Sequence, residues 1–353
     1  MATSNSSTGF WQHIVEMVSL TAYRPQRSDN VTAARLQSRA GPYYVLKQST
    51  TQSYLRLSEQ DYALWWQMDG TRTIKDLLLY SLRRYRNLPI GHLTRLVRDL
   101  RDGHFLQDPP TYLYSQVEQA LAHRSPTNRG RQLISGFFHS EVAIEGLDTF
   151  FNGLYRRTSH LFSRPAQLFF LLIILWGGFH FGRLVYEQEL TLLGQGGWTI
   201  PSLILANLLV ITIHELGHGL MTKHIGRELN RGGFLIYWGM PAFFVDTRDI
   251  WLSPPRDRIL VSWAGPHTGL ILGGLMGLLL ALLTGTETAA VADTFWITFL
   301  YQMGFIAFLS VFVNLNPLLE LDGYFILMDW LDMPGLRRRA FHFWRYDVWT
   351  RLV

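Results

Sequence analysis

The pentapeptide His214-Glu215-Leu216-Gly217-His218 holds the densest chemistry in the chain. Two histidines four apart lie on one face of a helix, close enough to share a tetrahedral metal ion. A glutamate directly after the first histidine can serve as general base on a water that the metal activates. At the His and Glu frequencies of this chain, the pattern arises by chance on the order of one time in a hundred. It also falls inside the apolar run Ile200–Leu220. Three ionisable side chains are costly there and mark a function by default. The plain alternative is a pair of packed core histidines. The chain has no cysteine, so thiolate ligands and disulfides are excluded and any metal must rest on His, Asp or Glu.

Two histidines leave a metal needing a third ligand. Asp322 is the candidate, in Asn314-Leu315-Asn316-Pro317-Leu318-Leu319-Glu320-Leu321-Asp322-Gly323. Pro317 breaks a helix, and Gly323 permits unusual backbone angles beside the carboxylate. Glu320 and Asp246 are rival carboxylates at this stage, and Asn-Pro followed by Asp-Gly could be no more than a helix-ending turn.

Hydropathy shows what must position these groups. Of the 353 residues, 48% are hydrophobic and 17% charged, against roughly 25% charged in soluble domains. The deficit is local, because residues 1–164 are polar and Arg-rich while the charge-poor stretch follows. Four apolar runs, Ala166–Gly182, Ile200–Leu220, Ile259–Thr284 and Thr294–Leu315, match the ~20 residues of a bilayer crossing. A fifth stretch, Tyr324–Leu331, is too short to cross alone. Met1–Phe10 has neither the basic cluster nor the apolar run of a secretory signal.

Lys and Arg are absent from Glu187–Thr199 and Gly285–Asp293. They crowd the segment between the second and third spans (Lys223, Arg227, Arg231, Arg248, Arg256, Arg258) and the tail (Arg337, Arg338, Arg339, Arg345, Arg351). Positive charge stays inside, so head, middle loop and tail are expected to be cytoplasmic. Arg183 dissents, and is expected to snorkel to the headgroups. Topology accounts for the net charge of +5, and nucleic acid is not an expected partner. In this orientation the second span runs inward and places His214 and His218 ~21–27 Å below its outer start. The fourth also runs inward, so Asp322 arrives near the same face.

An H-E-x-x-H in one apolar span followed by N-x-x-P-x-x-x-L-D-G after a later one resembles the site-2 protease family of intramembrane zinc metalloproteases, over roughly residues 165–335. The resemblance implies one zinc per chain on His214, His218 and Asp322, with Glu215 as catalytic base and Asn314 holding the substrate or its developing oxyanion. Ala264-Gly265-Pro266 is similar to the family's A-G-P segment, although His267 follows where many relatives have Asn. Gly232–Asp246, with Gly239-Met240-Pro241 in its middle, resembles the family's re-entrant β-hairpin. Such a hairpin pairs with an extended substrate and exposes its peptide bonds. An interfacial connecting loop is the other reading of that segment.

The head follows a different pattern. Tyr43–Gln48 and Ser53–Leu57 read as strands. Ser58 caps a helix through Gln67, with Asp61 in its first turn, and Thr73 caps Ile74–Arg86. Pro89 and Gly91 precede a third helix, His92–Asp102, and His104–Leu106 reads as a closing strand. Leu57-Ser58-x-x-x-Tyr62-x-Leu64, Asp69-Gly70-x-x-Thr73-Ile74 and Leu100-x-x-Gly103-x-Phe105 together resemble the PqqD-like winged-helix domain. That resemblance implies a leader-peptide surface near Leu93, Leu96, Val97 and Leu100, residues that would otherwise be core. Arg83, Arg84 and Arg86 read as a solvated or lipid-touching face. Phe137, Phe138, Phe150, Phe151, Tyr155, Arg156 and Arg157 read as an interfacial amphipathic stretch, or one packed on the head.

The expected architecture is therefore an α-helical polytopic membrane protein with at least four transmembrane helices, a re-entrant β-hairpin and an N-terminal α+β winged-helix-like cytoplasmic domain. Its segments are a polar 1–40, a PqqD-like 41–108, a membrane approach 109–164, a site-2 protease-like body 165–335 and a basic tail 336–353. The expected activity is zinc-dependent cleavage of a membrane-associated or leader-bearing peptide near the cytoplasmic face. By resemblance, the setting is a bacterial plasma membrane with a peptide exporter or peptide-modifying enzyme as partner. The rival is a non-catalytic membrane adaptor that binds a modified peptide for export.

Overall fold

The computed structural model describes residues 23–86, 90–107, 139–144, 146–187, 192, 198–237, 240–284 and 294–347. The chain divides into two compact units, Met1–Arg129 and Gly130–Val353.

The first unit begins with an antiparallel sheet, β1 (Val31–Ser38), β2 (Gly41–Gln48) and β3 (Ser53–Ser58), in sequential order. Three helices follow: α1 (Glu59–Trp66), α2 (Ile74–Tyr85) and α3 (Ile90–Asp102). Local chemistry sets their starts. The Ser58 hydroxyl accepts from the Asp61 N–H at 3.1 Å, and Thr73 forms a reciprocal capping box with Asp76. Arg86 leaves α2 in the left-handed region. Leu46, Leu57, Leu64, Trp65, Met68, Leu77 and Phe105 share one core with Leu93, Leu96, Val97 and Leu100. Those last four are at most 5% exposed, which corrects the expectation that they form a peptide-binding surface. Arg83, Arg84 and Arg86 are exposed, as expected. His104–Leu106 is not a strand. Leu106 makes one isolated bridge to Arg27, because a chain segment beginning at Tyr23 crosses there.

The second unit is mostly helical. A short strand β4 (His139–Ile144) leads into α4 (Leu147–Thr158) and a 3-10 turn, Ser159–Phe162. Among the described residues, four helices are long and apolar enough to cross a membrane: α5 (Arg164–Glu187), α6 (Thr199–His224), α7 (Pro255–Thr284) and α8 (Thr294–Asn314). Leu168, Leu172, Trp176 and Phe179 form an exposed apolar stripe along α5, as on helices that meet lipid rather than water. Between α6 and α7 lie β5 (Gly232–Tyr237), β6 (Met240–Val245) and a 3-10 turn, Arg248–Leu252. After α8 come α9 (Asp322–Leu331) and α10 (Leu336–His342), then a single π-helical segment, Phe343–Asp347.

Helix α7 is the hub, packed against α5, α6, α8 and α9. Its crossing with α5 is backbone to backbone. A Cβ on Gly177 would overlap the Gly274 carbonyl, so only glycine permits this approach. Between α6 and α8, Ala206, Val210, Met303 and Ala307 pack with Leu272 and Met276 of α7. The Ser202 hydroxyl donates to the buried Gln302 amide oxygen at 2.8 Å.

The segment Gly232–Asp246 does form an antiparallel hairpin. It belongs to a three-stranded sheet, because β4 pairs with the outer edge of β5, His139 opposite Tyr237 and Ile144 opposite Gly232. Gly239 lies outside the described residues. Phe151 of α4 is fully buried with Leu147, Leu229 and Phe243, while Phe150 is exposed. Phe151 thus packs α4 on this unit's own sheet and on α6, while Phe150, Arg156 and Arg157 stay exposed. Phe137 and Phe138 lie outside the described residues. Arg183, expected to snorkel, donates to Glu187 at 2.7 Å.

Candidate metal centre

Helix α6 presents His214 and His218 on the face packed against α7, and both side chains are buried. Their Nε2 atoms lie 3.0 Å apart. Asp322, the first residue of α9, completes the group. Its Oδ2 is 3.1 Å from His214 Nε2, and its Oδ1 is 3.3 Å from His218 Nε2. Among the described residues this is the group of three His, Asp or Glu side chains whose ligand atoms converge, all within 4.8 Å of one another.

One ring's tautomer is set by its partner. The Val261 carbonyl lies 2.7 Å from His218 Nδ1. A carbonyl only accepts, so the imidazole proton sits on Nδ1 and the Nε2 lone pair of the neutral ring points into the cluster. Asp322 Oδ2 is buried without a hydrogen-bond partner. A ring lone pair and a buried carboxylate facing each other repel unless a cation sits between them. Ligand bonds of ~2.0–2.1 Å in a tetrahedron place ligand atoms roughly 3.3 Å apart, close to the separations seen. The residues therefore fit a zinc-sized ion.

Space for that ion comes from α7. A Cβ on Gly265 would lie 2.5 Å from His214 Nε2 and would overlap His218 Nε2 as well. The clearance over the two nitrogens exists only because residue 265 has no side chain. Sequence reasoning noted Ala264-Gly265-Pro266 as a family resemblance and did not find this role.

Glu215 and Asp322 both line a cavity of about 290 Å³, with His218, Val261, Arg258 and Asp329 in its wall. The Val245 N–H, at the end of β6, donates to Glu215 Oε2 at 3.0 Å. The next residue, Asp246, donates its N–H to Arg231 in the opposite direction. Alternate residues of a strand point their backbone groups to opposite sides, so the outer edge of β6 is the edge beside Glu215. No further strand covers it among the described residues.

The other predicted residues are elsewhere. The Asn314 side-chain amide donates to the backbone oxygen and hydroxyl of Ser310, at 2.9 and 3.0 Å. Asn314 does not line the cavity. The rival carboxylates are engaged away from the histidines, Glu320 with Arg337 at 3.2 Å and Asp246 with Arg248 at 2.9 Å.

No protein-family model matches the chain, and no solved structure matches it. A Bacillus subtilis (strain 168) protein named "Putative peptide zinc metalloprotease protein YydH" is 26% identical over 151 residues. That stretch covers 42% of this chain and 55% of the relative, so the match spans about half of the relative's length.

Proposed function

We propose that this chain is a membrane-embedded zinc metalloendopeptidase of the site-2 type, with zinc held by His214, His218 and Asp322. The observation that carries the reading is the convergence of those three donors beside a cavity that also holds the Glu215 carboxylate. An adaptor with a structural metal would have no use for that carboxylate.

A bound zinc supplies Lewis acidity towards a peptide carbonyl and lowers the pKa of a water towards ~7. Glu215 would serve as the base for an attacking water and as the acid for the leaving amine. The Val245 N–H on Oε2 fixes the carboxylate and leaves Oε1 for the proton. The Val261 carbonyl keeps the His218 proton on Nδ1. An extended substrate adds to the outer edge of β6, which presents its peptide bonds next to Glu215. Asn314 exchanges Ser310 for a substrate carbonyl when the peptide arrives.

The four apolar helices of the second unit cross a bacterial plasma membrane, with the head, the Lys- and Arg-rich middle segment and the tail on the cytoplasmic side. The sheet and three helices of the first unit act as a PqqD-like winged-helix module that docks a leader-bearing or membrane-associated peptide. A peptide exporter or modifying enzyme is the expected partner in that setting. The test is Glu215→Gln in detergent-purified protein offered a quenched fluorescent peptide library. Wild type cleaves and the variant keeps its zinc without cleaving. Equal cleavage by both would remove Glu215 from the mechanism.

A further inference from the structure

We infer that the buried ion pair between Arg258 and Asp329 is the clamp that holds Asp322 at the metal centre, an inference that rests on the metalloprotease reading above. Asp322 and Asp329 lie seven residues apart on α9, on one face, ~10.5 Å along the axis. Gly265 and Arg258 are seven apart on α7, on the face that meets α9. The two helices match in opposite order. Asp322 lies against the histidine nitrogens over Gly265, and Asp329 lies against Arg258. Helix α9 is therefore held at two places about two turns apart, by its carboxylate among the α6 histidines that Gly265 underlies and by the ion pair to α7.

The second contact matters because α9 is short. It is a ten-residue helix that follows the irregular segment 315–321, and its extensive packing is against α7. Apolar contacts alone tolerate sliding and rotation of so short a helix, whereas site groups must be held within roughly 0.5 Å. The ion pair is directional. Arg258 Nε and Nη2 both converge on Asp329 Oδ1, at 2.9 and 2.7 Å. The two residues are only 4% and 8% exposed. The guanidinium also lies 5.4 Å from the Trp251 ring, which ties in the 3-10 turn after β6. A buried ion pair adds little net stability compared with apolar residues of similar size, so its place here is better explained by orientation. Arg258 and Asp329 are positioning residues that act through Asp322.

The test measures zinc affinity of the detergent-purified full chain by chelator competition, with the Co2+ absorption spectrum and the zinc-free melting temperature alongside. In Arg258→Met/Asp329→Leu the pair is replaced by apolar side chains. The zinc-free protein should melt close to wild type, while zinc affinity falls roughly 10–100-fold, the usual cost of losing an outer-shell partner. The Co2+ bands should shift because the carboxylate is no longer held in place. Arg258→Lys keeps a cation opposite Asp329 but loses the two-nitrogen fork, and its zinc affinity should fall between wild type and the double variant. If the double variant does not fold, Asp329→Asn, which keeps the volume but leaves Arg258 without its carboxylate, should show the same loss of zinc affinity together with a lowered zinc-free melting temperature. Wild-type affinity and an unchanged Co2+ spectrum in the variants would overturn the clamp alone. Equal zinc binding by wild type and Asp322→Ala, or none by wild type, would overturn the metal reading and the clamp with it.

Discussion

Each unit contains a three-stranded antiparallel sheet, and the two sheets are put to different uses. In β1-β2-β3 every pairing joins consecutive strands, and the residues that shape the unit are caps and core. In β4-β5-β6 the pairing of β4 with β5 closes a loop of almost ninety residues, His139–Ile144 against Gly232–Tyr237. That sheet is wired to the metal centre by Val245 on Glu215. The first sheet serves its own core, and the second borders the candidate metal centre. A change near the second should therefore register in zinc binding or cleavage, whereas a change in the first should register in stability or peptide docking and leave zinc binding alone.

The largest effects test the coupled sheet. Glu215→Gln should lower peptide hydrolysis by about 10²–10⁴-fold, the usual worth of a general base, with zinc content unchanged. Gly265→Ala places a methyl group where the histidine nitrogens need clearance. It should abolish zinc binding while leaving the helical circular-dichroism signal intact. Retention of stoichiometric zinc would show that α7 can shift away from α6.

A smaller effect is expected at Asp148, directly behind β4 on α4. Its carboxylate accepts from the Leu229 N–H at 2.8 Å and from the Asn152 amide at 2.8 Å, and it pairs closely with Lys223 on α6. Burial pushes this carboxyl up, but those donors outweigh it and hold it below the ordinary range. A depressed folded value stabilises the protein above the ordinary Asp pKa of ~3.9, and that stability is lost as pH falls through the folded value. Asp148→Asn should thus lower the melting temperature by a few degrees at neutral pH, with the gap to wild type closing below about pH 4. A gap that persists in acid would assign the effect to packing. The smallest effect belongs to the first sheet. Ser58→Ala removes the cap of α1 and should cost about 1 kcal/mol, without changing zinc content.

The same contrast explains which features could be read from sequence. The starts of α1 and α2 were visible because Ser58 and Thr73 act on residues three positions away. The four long helices were visible because length and apolarity are local. His214, Glu215 and His218 share one helix turn, so their spacing alone carried the site. By contrast, β1 has only a weak alternation in Val-Thr-Ala-Ala-Arg-Leu-Gln-Ser, and β4 gains its partner from far along the chain. Nothing near Leu93 to Leu100 distinguishes a peptide groove from a core, and their burial depends on β2 and α1 folding over them. Asp322 could be told from Glu320 and Asp246 only once α9 lay on α7. The roles of Gly265, Val261 and the Arg258–Asp329 pair depend on contacts between helices, which no spacing along one segment reveals.

The central claim is a zinc site built from His214, His218 and Asp322. Elemental analysis of zinc per chain in detergent-purified wild type, beside His218→Ala and Asp322→Ala, tests it most directly. The account predicts about one zinc in wild type, as for a three-ligand catalytic site, and sharp loss in both variants. A folded wild-type protein without zinc, or full occupancy in Asp322→Ala, would contradict it.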